Sequence, residues 1–315
     1  MLTALIFAGC AGLNTSLPDV TDAERQAEQI KFEAAAFEEM SRLRARLEPV
    51  AHNVLAANRA LCEKTHKDIG AVTQTIKSYP KNLRDGARRE LSLSDEPALI
   101  YVRPDSAAAN AGLKPGDRLI SDAGEAMASP GRELSKHLET GAKIQRARLD
   151  VREPVTLSGT ERCDYNIKLK MSSAINAYAN GKSIVVTAGM MDFVESDDEL
   201  AYIIGHELAH NTQSHIRKSI TNYVLSLGGT RYTRGFESEA DYVGLYFMVR
   251  AGYNPERVDD LWRRLARLSM RPIARAKTHP TYPGRALLIE KTRAEIEQKQ
   301  QSGDILIPEP KRAPK

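Results

Sequence analysis

Apolar positions recur at two different spacings along this chain, and the change of spacing divides it into segments. Over residues 21–67 they fall at helical intervals (Ile30, Phe32, Ala35, Phe37, Met40, Leu43, Leu47) in a charged, Ala-rich background. This predicts one or two long helices laid across a globular body. Thr21-Asp22 reads as the opening cap with Glu24 in the first turn, and Pro49 should kink or divide the helix. Between residues 83 and 158 the pattern shortens. A strand is predicted over 97–102, a short helix ending at Gly112, a Pro115-Gly116 turn, a strand through Leu119-Ile120, a helix over 134–138, and strands over 145–151 and 154–157. From about Glu161 the larger body resumes, with strands over 163–170 and 182–187 and a turn at Asn180-Gly181. Helices follow over 189–194, from Asp197 onward and over 236–250. Asp197, Asp198 and Glu199 lie in the first turn of the second of these, where the helix dipole favours negative charge.

The expected class is α+β: a mainly helical body with a small β-sheet and an inserted α/β module. Its expected divisions are 1–20 as a signal and tether, 21–82 as the N-terminal helical part of the body, 83–160 as the insert, 161–298 as the catalytic part and 299–315 as a flexible tail. At 315 residues the chain has room for one large domain or two ordinary ones. A net charge of +4, spread over many charges of both signs, does not call for nucleic acid as a partner. The basic clusters Arg42-Arg44-Arg46 and Arg263-Arg264-Arg267 sit at helical spacing and read as solvated faces.

Chemistry concentrates in Ile203-Ile204-Gly205-His206-Glu207-Leu208-Ala209-His210, an HExxH on an apolar helix. Residues four apart on a helix lie about 40° apart around its axis, so His206 and His210 can aim two imidazoles at one metal ion with Glu207 on the flank. Two histidines and a glutamate among Leu200, Ile203, Ile204 and Leu208 would be costly to bury without such a partner. A catalytic zinc site takes three protein ligands and leaves a fourth position for water. Glu237 and Asp241 share one face of the helix over 236–250. Glu237 is the expected third ligand, and Asp241 the acceptor for a ligating histidine's free N–H. Glu239 points about 200° away from Glu237 and is the weaker candidate, and His215, about 180° away from His206 on a continuing helix, reads as a structural or surface residue.

Three resemblances extend this reading. The run Ala111-Gly112-Leu113-Lys114-Pro115-Gly116-Asp117-Arg118-Leu119-Ile120 resembles PDZ domains, which bind an extended peptide as an added strand. The first ten residues end in Phe7-Ala8-Gly9-Cys10, which resembles a bacterial lipobox. That implies acylation of Cys10 and a membrane tie through an N-terminal lipid anchor, and Ala11 at the next position points to the outer membrane. HELAH, the Glu237–Asp241 pair, Thr278-His279-Pro280 followed by Arg285, and Asn176-Ala177-Tyr178-Ala179 together resemble the HtpX/BepA-type zinc metalloendopeptidases, peptidase family forty-eight of the gluzincin kind. The resemblance implies one Zn²⁺ per chain on His206, His210 and Glu237, Glu207 as catalytic base, Asp241 in support, and His279 near the metal or the transition state.

The expected activity is hydrolysis of misfolded or mislocalised envelope proteins facing the periplasm, with the insert selecting substrate or gating activity. The alternative is a non-proteolytic envelope chaperone or assembly factor that retains the zinc. With Cys10 set aside, Cys62 and Cys163 flank the insert and form a candidate disulfide, permitted in an exported compartment. The oligomeric state stays open.

Overall fold

Thr21 and Glu24 form a reciprocal capping box that starts α1 (Asp22–Ala57). The structure is a computed structural model, and it describes residues 18–140, 144–148, 151–213, 233–268 and 282–309. Pro49 lies inside α1 and does not divide it. Leu47, Val50, Ala51 and Val54 around it are at most 2% exposed, and their packing outweighs the one hydrogen bond that proline removes. Ile30 and Phe32, expected on the packed face, are exposed at 40% and 71%; burial begins with Glu33 and Phe37. The helix also ends ten residues before the expected boundary at residue 67. Asn58 stops it, donating through Nδ2 to the carbonyls of Val54 (2.8 Å) and Phe247 (2.9 Å).

The residues after α1, expected to continue the helical part to residue 82, include two strands that pair with strands of the following module. β1 (Thr65–Asp68) pairs antiparallel with β7 (Thr160–Cys163), and β2 (Ala71–Gln74) pairs antiparallel with β3 (Ala98–Val102). Strands of four residues are too short to show a period in the sequence. α2 (Arg84–Leu91) joins β2 to β3, and α3 (Ala107–Asn110) follows β3. Gly112 and Gly116 adopt φ of +72° and +89° in the turn into β4 (Arg118–Ile120). α4 (Pro130–Thr140) precedes β5 (Ile144–Arg148) and β6 (Val151–Val155), which form a sheet in the order β4-β5-β6. The expected strand break thus falls before Val151 and not after it. Ile69, Leu99, Leu113, Leu119, Met127 and Leu134 form the module's own core. At its neck Cys62 and Cys163 are joined as a disulfide, with Cα atoms 5.6 Å apart.

His66 sits in this neck with Nδ1 2.9 Å from Asp164 Oδ1. Burial, then the nearby Arg162 and Arg132, outweigh the carboxylates of Asp164 and Asp68 and push its pKa down to about 4. The unfolded imidazole titrates at about 6.5. Between the two values the unfolded chain binds more protons, so this group's contribution is complete above about pH 6.5 and is lost as pH falls towards 4. Thermal melts at pH 7 and pH 5 should show a smaller loss of stability for His66→Asn than for wild type; parallel losses would contradict the assignment.

The body is built on a mixed sheet. β8 (Asn166–Lys170) runs parallel to β10 (Ser183–Thr187), β9 (Ala177–Ala179) runs antiparallel on the other side of β10, and β10 is buried throughout. Thr187 caps α5 (Ala188–Phe193) and Ser196 caps α6 (Asp197–Thr212). α7 (Thr233–Arg250), α8 (Val258–Leu268) and α9 (Tyr282–Ser302) complete the layer, and one core joins α1, the sheet and these helices. The stretch expected to be a flexible tail from residue 299 is instead helical to Ser302 and then returns along the body. Arg250 donates to the Leu306 carbonyl (2.8 Å) and the Glu309 amide to the Tyr242 hydroxyl (3.2 Å). The partly buried Arg250 guanidinium needs acceptors, and this segment supplies one. Among the described residues, no helix is long and apolar enough to cross a membrane.

Candidate metal centre

α6 is buried along almost its whole length, from Glu199 through Ala209. Its contact with α7 is unusually close at one point. A Cβ on Gly205 would lie 2.6 Å from the Gly244 carbonyl oxygen, and one on Gly244 would lie 2.7 Å from the amide nitrogen of His206. Any side chain at either glycine would force the helices apart beside His206, and α7 carries Glu237 and Asp241. A glycine inside a helix costs about 1 kcal/mol relative to alanine, and that cost is the signal that could have marked this contact from sequence.

The approach brings three donors together. His206 Nε2 and His210 Nε2 are 3.1 Å apart. Glu237 Oε2 lies 3.7 Å from His206 Nε2, and Glu237 Oε1 lies 3.5 Å from His210 Nε2. One ligand atom from each residue falls within 4.8 Å of the others. Donors about 2.0–2.1 Å from a tetrahedral zinc ion are separated by about 3.3 Å, so the set fits zinc in both chemistry and spacing. Electrostatics point the same way. Burial disfavours a charge on His206, yet the carboxylates of Asp241 and Glu237 outweigh burial and hold its pKa at about 9. The pocket therefore favours a cation.

Asp241 is fully buried. Its Oδ1 is 3.0 Å from His206 Nδ1 and accepts from the Tyr202 hydroxyl at 2.7 Å. Arg285 Nε and Nη2 donate to Oδ2 and Oδ1 at 2.7 and 2.5 Å, a two-pronged ion pair. The Arg285 guanidinium lies over the Trp262 ring, 3.6 Å from its centre. Burial would raise the Asp241 pKa, but Arg285 and His206 reverse this and hold it below the usual carboxylate range. Tyr202 and Trp262 lie outside the motifs that mark the site in the sequence. Tyr202 is one turn before His206, on the same face, and that spacing is its only sequence signal.

Glu207 is 8% exposed. Burial pushes its pKa up, with Glu237 adding to the effect; His206, the Ala179 amide of β9 and Arg285 oppose it. A carboxylate held near Ala179 faces β9, which is an edge of the three-stranded sheet. Glu239 is not part of the converging group. Cys10, His215 and His279 lie outside the described residues.

Comparison with known proteins agrees with this arrangement. Residues 140–229 and 219–293 match the family model for peptidase family M48. Mitochondrial metalloendopeptidase OMA1 of Arabidopsis thaliana is 28% identical over 172 residues, 46% of this chain and 35% of its own length. The protein of the same name from Schizosaccharomyces pombe is 25% identical over 178 residues, 48% of this chain and 53% of its own length. The beta-barrel assembly-enhancing protease of Escherichia coli (strain K12) is 24% identical over 164 residues, 40% of this chain and 34% of its own length. The chain thus spans between about a third and about half the length of these relatives. The matched residues 140–293 include the three converging donors and are similar in sequence to peptidase family M48.

Proposed function

We propose that the protein is a zinc-dependent metalloendopeptidase in which His206, His210 and Glu237 hold the ion and Glu207 moves the proton. The observation that carries this reading is the convergence of two imidazole nitrogens and a carboxylate at 3.1, 3.5 and 3.7 Å from one another, beside a buried glutamate. A zinc ion in that position supplies Lewis acidity for peptide hydrolysis. Glu207, with its raised pKa, accepts a proton from the attacking water and passes it to the leaving amine. Asp241 keeps the proton on His206 Nδ1 and so presents Nε2 to the ion. Arg285 and Tyr202 keep Asp241 charged and in place. Among the described strands β9 pairs only with β10, so an extended substrate can pair along its other edge, which brings a peptide carbonyl past Glu207. By the resemblance of Thr278-His279-Pro280 to the family motif, His279 acts near the reacting atoms.

The module held by the Cys62–Cys163 disulfide reads as PDZ-like and serves substrate selection or gating. The disulfide suits an oxidising compartment, in keeping with an envelope protein tied to the outer membrane through Cys10 and acting on misfolded or mislocalised envelope proteins. Purified protein should cleave casein, lose that activity with a chelator and regain it with added Zn²⁺. Absence of chelator-sensitive cleavage, in wild type and in His279→Ala alike, would favour the non-proteolytic assembly factor.

A further inference from the structure

A cavity of about 450 Å³ lies between the module and the body, lined by Ala71–Gln74 of β2 and by residues 166–169 of β8. Successive residues of a strand point to opposite faces, so a cavity touched by four consecutive residues lies along the strand's edge. The topology agrees. Among the described strands β2 pairs only with β3 and β8 only with β10. Two free strand edges therefore flank one groove, and a free edge is a template for another extended chain.

The groove is also charged. Arg44, Arg132, Arg162 and Lys168 line it against a single acid, Glu48. Arg44 is engaged by Glu48 at 3.1 Å and Arg132 by Asp164 at 2.6 Å. Arg162 is 3.8 Å from Asp68, and Lys168 is exposed on β8. The positive excess comes from several walls and not from one end. In the loop leading into β2 the Gly70 amide already donates to Asp68 Oδ1 at 3.2 Å, so that donor is taken by an internal carboxylate and is not left for a chain terminus. We infer that this seam binds an extended acidic peptide, which pairs along β2 and sets its side-chain carboxylates against Arg132, Arg162 and Lys168.

A second cavity of about 410 Å³ shares Arg132 and Asn166 with the first and continues to Gly181 and Lys182. The Gly181 amide donates to Asn211 Oδ1 at 2.7 Å, one residue beyond His210. The groove thus leads from the module towards the metal centre. Binding at the seam is independent of the peptidase reading; delivery of substrate along it rests on that reading.

The test uses full-length Glu207→Gln protein, so that no cleavage intervenes, and a short fluorescein-labelled peptide alternating Glu with Val. Fluorescence anisotropy should show salt-sensitive binding that weakens about tenfold or more when Gln replaces Glu in the peptide. Lys168→Glu, at an exposed position the fold does not need, and Arg132→Gln should each weaken it comparably. Amidation of the peptide's C-terminus should leave it unchanged. Hydrogen exchange should show new protection in β2 and β8. Equal affinity for the Gln peptide, indifference to Lys168→Glu, or protection confined to other elements would overturn the assignment. Loss of binding on amidation would assign the groove to a chain terminus instead. Failure of this binding leaves chelator-sensitive casein cleavage by wild type untouched, so the two readings fail separately.

Discussion

Glu207→Gln protein should bind one zinc ion per chain and lose peptide cleavage by about a thousandfold, within the range of about 10²–10⁴ that a positioned general base contributes. Glutamine keeps the shape of the side chain and its packing in a position that is 8% exposed, but it cannot take up a proton. Glu207 is not one of the three converging donors, so metal content should stay at the wild-type value. His206→Ala removes one of those donors and should lose both metal and activity. Metal analysis of the dialysed proteins, with mass spectrometry of casein products, separates the two effects. A Glu207→Gln protein that cleaves at the wild-type rate, or that sheds zinc as readily as His206→Ala, would remove the residue from its assigned role.

What could be read from the sequence follows from how local each signal is. The i, i+4 spacing of His206 and His210 fixes their common direction once a helix is granted, and the same spacing puts Glu237 and Asp241 on one face. The capping box at Thr21 and Glu24 and the positive-φ glycines at 112 and 116 are equally local. Contacts between elements are another matter. The Gly205–Gly244 approach depends on two helices crossing, and nothing within either helix names its partner. Arg285 stands out in the sequence only as part of a family pattern; its pairing with Asp241 and stacking on Trp262 need α7, α8 and α9 assembled. The module's first two strands leave no sequence signal because four residues cannot establish a period, and their pairing partners lie up to about a hundred residues away. Pro49 is the opposite case: a strong local signal that does not divide α1, because the residues around it are buried.

Asp241→Ala should destabilise the protein by about 3–5 kcal/mol, because it leaves the Arg285 guanidinium buried and uncompensated. Arg285 is 5% exposed and makes its two short hydrogen bonds to Asp241 alone, with Glu237 no nearer than 3.8 Å. Arg285→Met should cost less. It retains side-chain volume against Trp262, and Asp241 keeps the Tyr202 hydroxyl and His206 as partners. The double variant should then be more stable than the sum of the single losses implies, since the charge stranded by Asp241→Ala is gone. Zinc affinity should follow a different order. Asp241→Ala removes the acceptor beside His206 Nδ1 and should weaken binding about 10–100-fold in a competition titration with a chromophoric chelator. Arg285→Met leaves that acceptor in place and should weaken it less. Additive stability losses would show that Asp241 and Arg285 do not act as one buried pair, and unchanged zinc affinity in Asp241→Ala would show that the pair serves the fold without orienting the ligand.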